Sequence, residues 1–304
     1  MQGSVHRPLV RLLVVALALC AAVSACGGTD GGPGGRPTIL VTTSVLGDVV
    51  GNLVGDGADV EVLMPAGSDP HDFVPSAKQV ASIRDADAVV ANGAGFEQGL
   101  DDALSAAGAE GTDVFEAIDT VETIGDPVDP HFFTDPARMA VAARAILDHL
   151  TDRVDELDTD RVRQRGTDYV EALERLDADV EATLSAVPAA RRKLVTNHDV
   201  FTYFADRYGF EVVGAVIPGG GTGGEPSAGE LASLADTVTE EGVPAIFADA
   251  SSPTKLADAL ADEAGTGIEV VELFTESLQP DDPEGDSYVD MVTANARRIA
   301  EALA

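Results

Sequence analysis

Four side chains in this chain have the type and surroundings to hold a metal ion. Histidine is scarce, with five in 304 residues, and one of these, His6, lies near the N-terminus. Two of the others share a local frame. His71 stands in Ser68-Asp69-Pro70-His71-Asp72-Phe73-Val74-Pro75-Ser76, and His131 in Asp129-Pro130-His131-Phe132-Phe133. Each follows Asp-Pro and precedes an aromatic residue within two positions. His198 lies in Thr196-Asn197-His198-Asp199, and Glu276 in Phe274-Thr275-Glu276-Ser277. Three neutral imidazoles and a carboxylate make a tetrahedral donor set suited to Zn²⁺. Such a set fills the coordination shell, whereas catalytic zinc keeps a position open for water, so the set favours holding an ion over using it. Mn²⁺, the alternative, prefers more oxygen donors. Asp69, Asp72, Asp129 and Asp199 flank the histidines and are candidates to accept the second imidazole proton. His149, within Ile146-Leu147-Asp148-His149-Leu150, reads as a solvent-facing helix residue.

These side chains need elements to position them. Thr38–Thr42, Val60–Met64 and Ala88–Ala91 read as short strands, separated by helices over Val45–Val54 and from a Ser76 cap to Arg84. Another helix is expected near Glu97–Ala107. From Glu110 to Asp129 the pattern weakens, and that acidic segment reads as partly loop. Asp135-Pro136 is a cap-plus-first-turn signature for a helix with Met139, Ala143, Ile146, Leu147 and Leu150 on its apolar face. Thr159 to Val187 is the longest periodic segment, a helix of roughly 40 Å that Pro188 ends. Beyond it the alternation resumes: strands at Lys193–Thr196, Val212–Ile217, Ala245–Ala248 and Ile268–Leu273, with helices between them and a closing helix over Tyr288–Leu303. The fold class expected is therefore α/β: two parallel-sheet lobes joined by one long rigid helix, with the site in the cleft between them. The expected lobes are 38–158 and 188–304, and the connecting helix is 159–187.

Ligands of open parallel sheets bind outside the carboxyl ends of the strands. His71 and His131 come from the first lobe, His198 and Glu276 from the second, and all follow strands or lie in loops at that end. Asp249, directly after the strand at Ala245–Ala248, competes with Glu276 for the fourth position, and position alone does not separate them. Gly219-Gly220-Gly221-Thr222-Gly223-Gly224 is not a phosphate loop, because no Gly-Lys-Ser/Thr follows; a loop bordering the cleft is expected. Arg191-Arg192 reads as a solvated turn.

Composition narrows the partners. The formal charge is −34, and the only lysines are Lys78, Lys193 and Lys255, which excludes a nucleic-acid face. The N-terminus reads as a leader: His6, Arg7 and Arg11 precede the apolar run Leu12–Leu19, too short to span a bilayer. Val23-Ser24-Ala25-Cys26 reads as a lipobox, so residues 1–25 would be removed and Cys26 acylated. Cys20 lies in the leader, so Cys26 alone remains and no internal disulfide can form. Residues 26–37 read as a flexible glycine-rich tether. The expectation is an exported protein, lipid-anchored to the cell membrane on its extracytoplasmic face.

Taken together, these residues resemble the zinc- and manganese-binding solute-binding lipoproteins of ABC importers, the cluster that includes the pneumococcal surface adhesin. The carriers are Asp69-Pro70-His71 with Pro75-Ser76, and Asp129-Pro130-His131-Phe132 with Asp135-Pro136. Asn197-His198-Asp199 with Tyr203-Phe204 and Tyr208-Gly209, Phe274-Thr275-Glu276-Ser277, and Gly285-Asp286-Ser287-Tyr288 complete them. The resemblance implies two lobes around a rigid helix, a metal buried between them, and Glu276 rather than Asp249 as the acidic ligand. It also implies zinc rather than manganese, because His198 stands where manganese-binding members tend to carry glutamate. Unlike many zinc members, this chain has no histidine between His71 and His131. The implied role is capture of the ion and its delivery to a cognate ABC permease, by a monomer and without catalysis. No His-Glu-x-x-His pair or serine elbow supports a surface metallohydrolase. An adhesin role finds no aromatic-rich patch, with aromatics at 5% and no tryptophan.

Overall fold

The computed structural model describes residues 35–217, 224, 226–250, 254–265 and 267–304. The expected leader, Cys26, most of the tether and most of the Gly219–Gly224 loop lie outside the described residues.

Two four-stranded parallel sheets form the two halves. The first contains β1 (Thr38–Val41), β2 (Asp59–Val62), β3 (Ala88–Ala91) and β4 (Val114–Glu116) in the order β2-β1-β3-β4. The second contains β5 (Lys193–His198), β6 (Glu211–Ile217), β7 (Ala245–Asp249) and β8 (Glu269–Leu273) in the order β6-β5-β7-β8. The strand order is thus the same in both. Helices α1 (Ser44–Val54), α2 (Ala77–Asp85) and α3 (Asp101–Glu110) belong to the first half. Helices α4 (Pro136–Arg153) and α5 (Asp160–Leu184) follow it. Then come α6 (Thr202–Tyr208), α7 (Ala228–Glu241), α8 (Lys255–Ala264) and α9 (Tyr288–Leu303).

Local chemistry explains the boundaries. Ser76 and Ser227 each close a capping box, with Gln79 and Glu230 as the reciprocal partners. The Asp135 side chain caps α4 ahead of Pro136, where a missing N–H costs nothing. All four residues of β3 are buried, as a central parallel strand covered on both faces requires. Alternation along β1 sends Ile39 and Val41 into the main core and Leu40 toward α2 and α3. A matching satellite core, including Val195, Val216, Val238 and Leu260, closes the outer face of the second sheet.

Helix α5 joins the halves. Its 25 residues extend about 37 Å. It buries Val162, Val170, Leu173, Leu176, Val180 and Leu184, spaced three, four or eight apart along one stripe, and it packs on α1, α4 and α9. Gly166 permits the close approach of α4, since a Cβ there would stand 2.5 Å from a Leu147 methyl. The main core is one apolar cluster that runs through both halves.

Several local expectations need correction. The segment after Glu110 is partly loop, as expected, but it also contains β4, a short edge strand on β3, followed by a 3₁₀ turn over Ala117–Thr120. Helix α3 starts at Asp101, not near Glu97, and Glu97 is buried ahead of it. His149 is not solvent-facing: its Nε2 is 2.7 Å from Asp113 and its ring stacks against Phe115 at 4.5 Å. Arg192 is not a solvated turn residue either. Its guanidinium donates to the carbonyls of Val187, Leu184 and Tyr208, tying the end of α5 to the end of α6.

Candidate metal centre

The four candidate ligands converge at the carboxyl ends of the two sheets. His71 lies in the loop after β2, and His131 opens a 3₁₀ turn between β4 and α4. His198 is the last residue of β5, two positions further inside the sheet than its sequence pattern predicts. Glu276 follows β8 after three residues. One ligand atom from each of the four lies within 4.8 Å of all the others. Glu276 Oε1 is 2.7 Å from His71 Nε2, 3.1 Å from His131 Nε2 and 3.0 Å from His198 Nε2. The Nε2 atoms of His71 and His131 are 3.4 Å apart. Exposures of 8%, 0%, 0% and 3% for His71, His131, His198 and Glu276 leave the cluster sealed from solvent.

This spacing fits a small dication. Zinc–nitrogen and zinc–oxygen bonds of about 2.0–2.1 Å place the corners of a tetrahedron about 3.3–3.4 Å apart. Of these separations, the 3.4 Å between His71 and His131 equals that edge, and the 2.7 to 3.1 Å to Glu276 are somewhat shorter than it. Three ring nitrogens and one carboxylate oxygen facing one point leave their lone pairs competing for protons. A single cation at that point would accept from all four.

The Asp-Pro-His frame has a structural purpose. Asp69 Oδ1 accepts the His71 backbone N–H at 2.9 Å, and Asp129 Oδ1 accepts that of His131 at 2.9 Å. Each aspartate folds its own loop into an Asx turn that presents the histidine. Asp129 Oδ1 also accepts from His131 Nδ1 at 2.7 Å, which directs Nε2 toward the cluster. Of the four flanking aspartates, this one holds a ring nitrogen. His71 Nδ1 and His198 Nδ1 have no hydrogen-bond partner among the described residues. Burial opposes a charge on His131, but Asp129 and Glu276 outweigh it and raise its pKa to about 9. Burial likewise opposes the charge on Glu276, yet the three imidazoles hold its carboxyl well below the ordinary range. Burial opposes the Asp129 charge too, and its contacts with His131 keep that carboxyl below its usual value.

Further residues, some of them within the motifs that carry the resemblance and others outside any motif, brace this arrangement. Phe96 sets its ring edge-on against His71 at 5.2 Å and His131 at 5.5 Å, and Phe133 packs on Phe96 at 5.3 Å. Buried Glu97 accepts from the Thr42 hydroxyl and the Asn92 N–H, both at 2.6 Å, and burial raises its pKa. Asn92 in turn donates to the Pro130 carbonyl at 2.9 Å, fixing the backbone just before His131. From the second half, the Tyr203 hydroxyl donates to the Asp129 carbonyl at 2.6 Å and accepts the Ile124 N–H at 3.1 Å. Nothing in the local pattern announces Glu97. Tyr203 has the signal of standing in the aromatic run that begins α6. Asp249 ends β7 and is buried, but it lies outside the group of four.

The sequence model of the periplasmic zinc-uptake complex component A family, ZnuA, matches residues 39–302. The chain belongs to this family. The zinc-binding protein TroA of Treponema pallidum (strain Nichols) is 32% identical over 253 residues, covering 80% of each chain. The high-affinity zinc uptake system protein ZnuA of Bacillus subtilis (strain 168) is 28% identical over 269 residues, covering 82% of each. The manganese ABC transporter substrate-binding lipoprotein PsaA of Streptococcus pneumoniae is 27% identical over 260 residues, with 82% of this chain and 83% of PsaA covered. The solved structure of periplasmic zinc-binding TroA superposes with a TM-score of 0.83 at 30% identity, covering 89% of this chain and all of TroA. The two-lobed α/β fold with two parallel sheets is thus the fold of the ZnuA family.

Proposed function

We propose that this protein is the extracytoplasmic substrate-binding component of a metal ABC importer, with Zn²⁺ as its cargo. His71, His131, His198 and Glu276 hold the ion, and the protein delivers it to a cognate permease. The convergence of three Nε2 atoms and one carboxylate oxygen within 4.8 Å carries this reading. Four buried protein donors leave no coordination position for an activated water, so the reading is of a carrier and not of an enzyme. Cys26 serves as the lipid anchor on the outer face of the cell membrane, and the carrier acts as a monomer. Manganese is the second reading, favoured by the similarity to PsaA. Three imidazole nitrogens against one oxygen weigh toward zinc.

The test is metal analysis of purified protein, stripped of metal and then offered equimolar Zn²⁺ and Mn²⁺, alongside a His198→Ala variant. One tightly held Zn²⁺ per chain, lost or strongly weakened in the variant, is the expected result. Preferred Mn²⁺ would keep the transport role and overturn the choice of cargo. Absence of any stoichiometric metal would overturn the site.

A further inference from the structure

The hydrogen bonds beside Glu276 lead out of its own half. Ser277 Oγ accepts the Gly67 backbone N–H at 2.7 Å and lies 3.1 Å from Ser44 Oγ, so one hydroxyl proton sits between the two serines. Ser44 Oγ also accepts the Leu278 N–H at 3.0 Å. Gly67 is in the loop that leads to His71, and Ser44 is the first residue of α1. The two residues following Glu276 are therefore bonded to the half that supplies His71. The residue two before it is bonded the other way: Phe274 N–H donates to Asn295 Oδ1 of α9 at 2.9 Å. Glu276 hangs between an anchor in its own half and a junction with the other.

We propose that Ser44 and Ser277 form an interlobe clasp that positions Glu276 against the three histidines and sets how fast the ion leaves. This rests on the metal-site reading above. With the clasp closed, Glu276 Oε1 is kept 2.7 Å from His71 Nε2. With it open, the nearest hydrogen-bonded anchors on either side of residues 276–278 are Phe274 on Asn295 and Gln279 N–H on the Gly285 carbonyl, both in the second half, and the carboxylate can withdraw with that segment. The main core runs through both halves and α5 braces them, so opening at this junction needs no hinge motion of whole lobes. Ser277 and Ser44 touch no ligand atom position themselves; they are positioning residues.

The experiment measures Zn²⁺ release from purified protein into an excess of a chromogenic chelator, for Ser277→Ala, Ser44→Ala and the double variant. Loss of one or two hydrogen bonds that hold the closed form predicts release faster by on the order of tenfold in each single variant. Because the two hydroxyls share one junction, the double variant is expected to release little faster than the quicker single one. The ligand-field absorption of bound Co²⁺ is expected to shift as well, which lowered stability alone does not cause. Ser44 is only half-buried at the start of a helix that alanine suits, so Ser44→Ala carries the test if Ser277→Ala fails to fold. Unchanged release and an unchanged Co²⁺ spectrum, with one Zn²⁺ still bound, would overturn the clasp and leave the site standing. Fully additive effects would overturn the shared junction. An unsubstituted protein that binds no Zn²⁺ would overturn the site reading itself and the clasp with it.

Discussion

Replacing Asp129 with asparagine should flatten the pH dependence of metal affinity. In the metal-free protein the raised pKa of His131, about 9, reflects the charges of Asp129 and Glu276 acting against burial. Metal requires the neutral imidazole, so a proton competes at every pH below about 9. The sign follows: affinity rises with pH up to that value and is lost as pH falls. At pH 7, two units lower, on the order of one His131 in a hundred is neutral, a penalty of roughly 3 kcal/mol on binding. Asp129→Asn keeps an oxygen for the His131 backbone N–H but removes the charge beside Nδ1. The pKa then falls toward the ordinary histidine value of about 6.5, and most of that penalty goes with it. The same change weakens the imidazole as a donor, a loss of about 10–100-fold in affinity for substitutions of this kind. At pH 9 the variant should show that loss in full, and near pH 7 the two effects should largely offset. Competition with a chelator of known affinity, from pH 6 to 9.5, measures the slope. Calorimetry in buffers of different ionisation enthalpy counts the proton released at pH 7. A slope near one for the unsubstituted protein and a much shallower one for the variant are expected. Parallel curves, offset by a constant factor, would refute the coupling of Asp129 to His131.

Other consequences follow from the same contacts. Tyr203→Phe removes a hydroxyl that bridges Asp129 O and Ile124 N; a loss of about 1–3 kcal/mol of stability is expected, measured by urea unfolding of the metal-free protein. Gly99→Ala should be costly, because a Cβ there would stand 2.0 Å from the Phe73 carbonyl in the loop after His71. About 1–3 kcal/mol is expected from such overpacking, with weakened Zn²⁺ binding in the same variant; a neutral result by both measures would contradict the packing described. Solution scattering with and without Zn²⁺ should give the same radius of gyration, since α5 packs on helices of both halves. A clear contraction on binding would instead indicate whole-lobe closure.

Much of this architecture was legible because its elements are long, or capped, or fully apolar. The Asp135-Pro136 start of α4 and the apolar stripe of α5 are each readable from a few residues. β4 was not. Three residues long, half-buried and ending in Glu116, it has neither alternation nor a continuous apolar run, and only its pairing with β3 makes it a strand. The burial of Glu97 is invisible for a related reason, since its partner Thr42 lies 55 positions away and meets it only in three dimensions. His149 looked exposed because helical spacing alone carries no knowledge of Asp113 and Phe115 on a neighbouring strand and its approach.

The site shows the same division. Rarity and a repeated Asp-Pro-His frame picked out His71 and His131, and both loops do make the same aspartate-to-backbone bond. Position could not separate Glu276 from Asp249, since both follow strand ends in the second half. In space the two differ. Asp249 closes β7, while the three residues beyond β8 carry Glu276 over to the histidines of the first half. The serines that hold it there lie 233 positions apart, beyond the reach of any local pattern.

Anomalous diffraction of a zinc-loaded crystal, recorded on both sides of the zinc absorption edge, tests the four-ligand site itself. One strong peak per chain is expected, about 2.0–2.1 Å from the Nε2 atoms of His71, His131 and His198 and from a Glu276 oxygen. A peak that includes Asp249, or one lying away from the three histidines, would contradict that site.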